Sequence, residues 1–74
     1  MEKIILDIIN IIREGKDLEP LEQIHETDDL RNQIGFTSFD LAELTVRIED
    51  EFDIDIFEDG LITTIGEIYA KLQR

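Results

Sequence analysis

The sequence predicts a small all-α protein, and its spacing of apolar and capping residues carries that prediction. Apolar residues recur at three- and four-residue intervals in separate segments, which is the spacing that keeps one face of a helix continuous. Two segments begin with a Thr that is followed three residues later by an acidic residue, the spacing of a helix capping box. The alternating stretch Ile54-Asp55-Ile56 is too short to indicate a β-strand.

The first helix is expected over residues 1–14, where isoleucines form an apolar stripe wide enough for a core helix. Gly15 follows as the expected C-cap residue. Acids interrupt the segment and it has no small-residue cleavage site, so we expect neither a signal peptide nor a membrane span. The stripe consists of Ile4, Ile5, Ile8, Ile9, Ile11 and Ile12.

Residues 16–36 break this pattern and predict a long connection that contains the only proline, Pro20. A connection of this length is unusual in a compact domain unless it includes helical turns, and residues 28–31 are the best candidate for one. We expect isolated apolar residues to pin the connection to the core. They are Leu18, Leu21, Ile24, Leu30 and Ile34.

The second helix is expected over residues 38–52, with Thr37 and Asp40 as its capping box. This places the hydroxyl of Ser38 in the first turn, where it is presented rather than buried. The residues expected to pack inward are Phe39, Leu41, Ala42, Leu44, Ile48 and Phe52. Those expected to fill the remaining positions are Asp40, Glu43, Arg47, Glu49, Asp50 and Glu51.

The C-terminal part predicts a further helix over residues 64–73, with Thr64 and Glu67 as its capping box. Its buried residues are expected to be Ile65, Ile68, Tyr69 and Leu72. A short helix is also expected over residues 58–61, although Gly60 counts against it.

Length and composition limit the chain to a small, single unit. With 74 residues, 42% of them hydrophobic, we expect one domain over residues 1–74 with one core and no deep enzyme cleft. The absence of cysteine from the sequence excludes disulfides and thiolate metal sites and is compatible with a reducing compartment. Because we also expect neither a signal peptide nor a membrane span, a cytoplasmic location is the default expectation.

The charge of the chain points to basic protein partners. Nineteen acidic residues against seven basic ones give a net charge of −12, which repels nucleic acid phosphates and anionic membrane surfaces. Between residues 38 and 59, nine acids are opposed by Arg47 alone. A charge run of this kind usually only keeps a protein soluble, but its concentration beside Ser38 favours electrostatic steering of a partner.

The side chains offer no complete catalytic or metal site. His25 has no cysteine or second histidine near it in the sequence, and Ser38 has no evident general base to activate it. An EF-hand loop starting at Asp55 would place Phe57 and Gly66 at ligand positions, which excludes it. We therefore predict neither a metal site nor an enzyme, and if Ser38 reacts, another protein activates it.

The sequence around Ser38 resembles the acyl carrier protein signature. Residues 34–44, IGFTSFDLAEL, and residues 48–52, IEDEF, carry the resemblance most clearly. It continues through residues 53–56 and 62–65, which are similar to the stretches before that family's third and fourth helices. The resemblance therefore covers almost the whole chain.

The resemblance implies a four-helix bundle with a long loop between the first and second helices and a short third helix. It also implies that Ser38 receives a 4'-phosphopantetheine arm from coenzyme A through a magnesium-dependent phosphopantetheinyl transferase. The arm's thiol would carry acyl groups as thioesters to loading and processing enzymes of fatty acid, polyketide or another specialised biosynthesis. The implied docking surface for their basic patches, on a monomeric carrier, is Phe39, Asp40, Glu43, Val46, Glu49 and Asp50.

The sequence departs from the family pattern near Ser38, and one alternative function remains open. Thr37 and Phe39 flank Ser38 where the family most often has Asp and Leu, and Arg47 adds a positive charge, which favours a specialised carrier. The alternative is an unmodified acidic helical adaptor that binds a basic protein. A set of apolar residues would either line an acyl-chain shelter or simply pack as core: Phe39, Leu44, Val46, Ile48, Ile62 and Tyr69.

Overall fold

The computed structural model describes residues 1–73, and within them it has three α-helices. They are α1 (Glu2–Gly15), α2 (Ser38–Phe52) and α3 (Ile65–Leu72). No β-strand occurs in this part of the chain, where one isolated antiparallel bridge joins Asp29 to Thr64. The all-α prediction is confirmed. None of the helices in residues 1–73 is long and apolar enough to cross a membrane.

A single hydrophobic cluster holds the helices together, with α1 packed against α2. All three helices and the connections between them contribute to it. The buried residues are Ile5, Ile8, Ile9, Ile12, Leu30, Ile34, Phe36, Leu41, Leu44, Ile48, Ile56, Ile62, Ile65, Ile68 and Tyr69. Because the connections supply Leu30, Ile34, Phe36, Ile56 and Ile62, the core forms only when the loops fold onto the helices.

The end of α1 differs from the sequence prediction. Gly15 is the last helical residue rather than the C-cap, a role that Lys16 takes. The amide of Lys16 donates to the carbonyl of Arg13. The next residue, Asp17, has the left-handed conformation, with φ 60°. The isoleucine stripe is also wider than the buried face of α1, since Ile4 and Ile11 are 38% and 49% exposed.

Polar groups, and not only apolar residues, fix the long connection before α2. The side chain of Asn10 donates to the carbonyl of Leu21 at 2.9 Å and accepts from its amide at 2.8 Å. Arg13 donates to the carbonyls of Glu19 at 3.0 Å and Ile34 at 2.5 Å. The helical turn predicted at residues 28–31 lies slightly later, where the amides of residues 33 and 34 both bond to the carbonyl of Asp29 at 3.0 Å.

The four-helix bundle is not confirmed, because residues 58–61 do not form a helix. Isolated turns occur there instead, closed by bonds from the amide of Glu58 to the carbonyl of Asp55 and from the amide of Gly60 to the carbonyl of Phe57. Both span three residues, and Gly60 has φ 123°, which a right-handed helix does not allow. The segment is held to the core by the fully buried Ile56.

The predicted starts of α2 and α3 are confirmed, with complete capping boxes at Thr37 and Thr64. The inward-facing set of α2 is partly wrong, however. Phe39 is 83% exposed, because it lies about 200° around the helix from the buried Leu41. Asp40, expected to face solvent, is only 7% exposed, since it lies one turn before Leu44 on the inner face.

Leu44 and Val46 provide a matched test of this core, because both lie on α2 and are 0% and 59% exposed. Leu44→Ala leaves a cavity and is expected to lower the free energy of unfolding by about 2–5 kcal/mol. Val46→Ala is expected to change it by less than about 1 kcal/mol. Urea unfolding followed by circular dichroism measures both, and equal losses would contradict the packing described above.

Candidate functional site

Ser38 is the first residue of α2 and is exposed. Thr37, immediately before it, has the extended conformation of an N-cap residue, with φ −89° and ψ 175°. The Ser38 hydroxyl has a partner that lies seven residues earlier in the chain. Nη2 of Arg31 donates to Ser38 Oγ at 2.6 Å. The predicted presentation of this hydroxyl is therefore confirmed, with the addition of a guanidinium group beside it.

A buried carboxylate fixes the backbone on both sides of Ser38. Asp40 Oδ2 accepts from the Thr37 amide at 2.8 Å and from Thr37 Oγ1 at 3.0 Å, while the Asp40 amide donates to Thr37 Oγ1 at 3.3 Å. The same oxygen binds Lys16 Nζ at 2.5 Å, just after the end of α1. Burial would raise the pKa of the Asp40 carboxyl, but the bonds from Lys16 and Thr37 outweigh burial and hold that pKa below its ordinary value.

This arrangement favours a phosphate group at Ser38. The N-terminus of a helix carries partial positive charge and amide donors that lack intrahelical partners. The negative charge of Asp40 is already bound by Lys16, and the positive guanidinium of Arg31 contacts Ser38 Oγ. The exposed hydroxyl of Ser38 therefore lies where an attached phosphate would be both accessible and electrostatically favoured.

An open apolar groove of about 360 Å³ begins beside Ser38 and runs between α2 and the segment before α3. Its walls are Arg31, Ser38, Leu41, Ala42, Thr45, Phe57 and Leu61. Leu61 is 85% exposed at the rim. Phe57 and Leu61 lie in non-helical chain, so helical periodicity could not have indicated them.

The residues that the sequence offered as either acyl-chain lining or core divide into two groups. One group is buried in the hydrophobic cluster, as the core-packing alternative predicts. It consists of Leu44, Ile48, Ile62 and Tyr69. Phe39 and Val46 are 83% and 59% exposed and do not line the groove.

The predicted docking residues lie along α2, with one exception. Phe39, Glu43, Val46 and Asp50 follow each other at intervals of four, three and four residues, which places them on one stripe of the helix. Glu49 is exposed next to Asp50 on the same helix. The remaining residue of the predicted set, Asp40, is buried and bound within the protein, so a docking role for it is not supported.

One residue of the predicted docking stripe, Glu43, is in an ion pair. Nε of Arg47 donates to Glu43 Oε2 at 2.8 Å, an i,i+4 pair on the surface of α2. The Glu43 charge is thus partly compensated, whereas Glu49 and Asp50 form no ion pair within residues 1–73. The acidic end of the stripe is its C-terminal part.

Sequence reasoning missed the two basic residues of the site. Lys16 and Arg31 lie in the long connection, and their partners Asp40 and Ser38 are 24 and seven residues away. No local pattern could have indicated either contact. His25 is exposed, with Nδ1 3.5 Å from Asp28 Oδ2. Within residues 1–73, no group of three or more His, Cys, Asp and Glu residues is placed to hold a metal ion.

Comparison with known proteins identifies a family and several relatives that this chain resembles. The family described as "Phosphopantetheine attachment site" matches residues 6–72. A protein named "Acyl carrier protein" from Amoebophilus asiaticus is 33% identical over 100% of this chain and 94% of its own length. "Acyl carrier protein 3" from Ralstonia nicotianae is 38% identical over 93% of this chain and 82% of its own.

A third relative matches over a shorter stretch. "Acyl carrier protein" from Saccharopolyspora erythraea is 41% identical over 66% of this chain, and the match spans 54% of that relative, about half its length. No solved structure matches the chain at a significant level.

The Asp40 network predicts a specific dependence of stability on pH. Because the pKa of Asp40 is lower in the folded protein, its carboxylate stabilises the fold above about pH 4 and loses this effect as the pH falls through the folded-state value. We expect Asp40→Asn to be less stable than the original protein by about 1–3 kcal/mol at neutral pH. The difference should shrink below about pH 4.

Urea unfolding of both proteins across this pH range gives the difference in their free energies of unfolding. Titration of the other carboxylates affects both proteins alike and cancels in that difference. Asp50→Asn, the same change at an exposed residue of the same helix that forms no ion pair within residues 1–73, is the control and should give a small difference that hardly varies with pH. A difference for Asp40→Asn that stays constant from neutral to acidic pH would contradict the assignment.

Proposed function

Because this chain belongs to the acyl carrier protein family, with 4'-phosphopantetheine as its covalent prosthetic group, we propose that Ser38 is the attachment point of that group. The thiol of the group, when attached, carries acyl groups as thioesters. The supporting observation is that Ser38 is the only serine in the sequence and lies exposed at the capped start of α2. The hydroxyl is held for reaction without being covered.

The attachment step uses Ser38 as a nucleophile that another protein activates. Ser38 Oγ attacks the phosphorus of coenzyme A that bears the pantetheine, forming a phosphodiester, while the bond to the second phosphate breaks and adenosine 3',5'-bisphosphate leaves. The hydroxyl proton goes to a base on the transferase, because Arg31, the side chain in contact with Oγ, is a donor and cannot accept it. This is consistent with a carrier that is a substrate of the transferase.

The docking surface of the proposal is the stripe Phe39, Glu43, Val46 and Asp50 on α2, together with the exposed Glu49 beside it. Phe39 and Val46 provide apolar contact area, and the acids provide charge complementary to basic patches on transferases and acyl-processing enzymes. Exposed ion pairs contribute only about 0.2–1 kcal/mol each, so such contacts form and release quickly. That suits a carrier which must visit several enzymes in turn.

The residues on either side of Ser38 bear on the class of partner and pathway. Thr37 replaces an acid directly beside the acceptor serine, and Phe39 offers a large apolar group, 83% exposed, at the start of the docking stripe. These features favour partners dedicated to this carrier, in a fatty acid, polyketide or other specialised pathway. Residues 1–74 act in this proposal as a single, monomeric carrier domain.

Intact mass spectrometry tests the attachment point. Incubation with coenzyme A, Mg²⁺ and a promiscuous phosphopantetheinyl transferase should add one phosphopantetheine group to the original protein and none to Ser38→Ala. Thr45→Ala removes another hydroxyl of α2 and should still gain the full mass.

Two outcomes would contradict the proposal. A mass gain by Ser38→Ala would place the group on another residue. Failure of the original protein with several transferases, including one encoded nearby, would favour the unmodified adaptor that binds a basic partner.

Charge reversal on α2 tests the docking surface. Glu49→Lys should lower kcat/KM for transfer by about threefold to tenfold at low salt, because it removes an attraction and adds a repulsion toward a basic patch. The loss should largely disappear near 1 M salt, where charges are screened within about 3 Å. Glu14→Lys makes the same change in net charge on α1 and is expected to stay within about twofold of the original. Equal effects of the two variants would contradict a docking role for this end of α2.

A further inference from the structure

The charge in contact with Ser38 is opposite in sign to that of the protein as a whole. The chain has a net charge of −12, yet a guanidinium group donates to Ser38 Oγ at 2.6 Å. The acid in the first turn of α2, Asp40, is bound by Lys16 and turned inward. A local positive site therefore exists within a strongly acidic protein.

Arg31 differs from the other lysines and arginines of residues 1–73 in the partner it binds. Four of them bind carboxylates, in the pairs Lys3–Asp7, Lys16–Asp40, Arg47–Glu43 and Lys71–Asp59. Arg13 donates to backbone carbonyls that fix the long connection. Arg31 forms no ion pair within the described residues and donates to the serine hydroxyl instead. Its charge is thus available to an anion.

The backbone that carries Arg31 is firmly held although its side chain is exposed. Asp29 Oδ1 accepts from the amides of Arg31 and Asn32, both at 2.8 Å. The amide of Leu30, whose side chain is fully buried, donates to the carbonyl of Thr63 at 2.8 Å. The position of the guanidinium relative to the start of α2 therefore depends on side-chain rotation and not on loop movement.

We propose that Arg31 is the phosphate-binding residue of the attachment site: it orients the free hydroxyl of Ser38 and binds the phosphodiester once the prosthetic group is attached. This inference rests on the proposed attachment to Ser38. After attachment, Oγ becomes an ester oxygen, and the negative charge lies on the two non-bridging oxygens one bond further away. A planar guanidinium can bind two such oxygens together, a geometry that lysine cannot reproduce.

The N-terminus of α2 completes this site. In its first turn the Asp40 amide is bound to Thr37 Oγ1, but the amides of Ser38 and Phe39 have no intrahelical acceptors, and the helix dipole favours an anion at this end. Arg31 supplies a full charge and a directed donor beside these partial charges. The role of Arg31 is positioning, because it leaves the bond-making to Ser38 and the transferase.

The test compares apo and phosphopantetheinylated forms of the original protein, Arg31→Gln, Arg31→Lys and Arg47→Gln, after long incubation with a promiscuous transferase. Intact mass first establishes that each protein carries the group. The two readouts are the difference in thermal midpoint between the two forms and the phosphorus NMR chemical shift of the phosphodiester. Arg47→Gln is the matched control, since it removes the same charge from an ion pair nine residues further along α2.

We expect attachment to raise the thermal midpoint of the original protein by about 2–6 °C more than that of Arg31→Gln. The phosphorus shift should change in Arg31→Gln, change less in Arg31→Lys, and keep its original value in Arg47→Gln. The excess in thermal midpoint should fall in 1 M salt, where screening acts within about 3 Å.

Modified Arg31→Gln with the same phosphorus shift and the same thermal difference as the original protein would overturn the proposal. Attachment to none of the four proteins would instead contradict Ser38 as the attachment point. Mass therefore decides the proposed function, whereas the phosphorus shift and the thermal difference of the modified proteins decide the inference.

Discussion

The buried carboxylate of Asp40 is the constraint on which the functional region depends. A buried charge is costly unless it is paired and hydrogen-bonded, and Asp40 satisfies both conditions through Lys16 and Thr37. These bonds join the end of α1 to the start of α2 and complete the cap of α2 in a single network. Ser38 lies between the two capping residues, so its backbone is fixed by the same bonds.

In the proposed function, the attachment point and the docking surface differ in charge. Near Ser38 the guanidinium of Arg31 and the helix N-terminus favour a phosphate, whereas the far end of α2 presents Glu49 and Asp50 to solvent. Phe39 and Val46 add apolar area along the same exposed stripe. A carrier needs both properties, because it must hold its prosthetic group permanently and its partner enzymes only briefly.

Local sequence predicted the features that depend on residues close together in the chain. The capping boxes at Thr37 and Thr64 and the start of α2 at Ser38 depend on groups three residues apart, and they were predicted correctly. The family resemblance, carried by residues around Ser38, agrees with the comparisons. The short helix at residues 58–61 was the weakest local prediction, and Gly60 instead adopts a positive φ within a turn.

The sequence by itself therefore determined the three helices, the exposed serine at the start of α2 and the family to which the chain belongs. Only the tertiary structure decided that Asp40 faces inward, that Phe39 faces solvent and that Arg31 contacts Ser38. The reason is that Lys16 and Arg31 come from a long connection without periodic structure. Their positions depend on how that connection folds onto the core, through contacts between residues far apart in the chain.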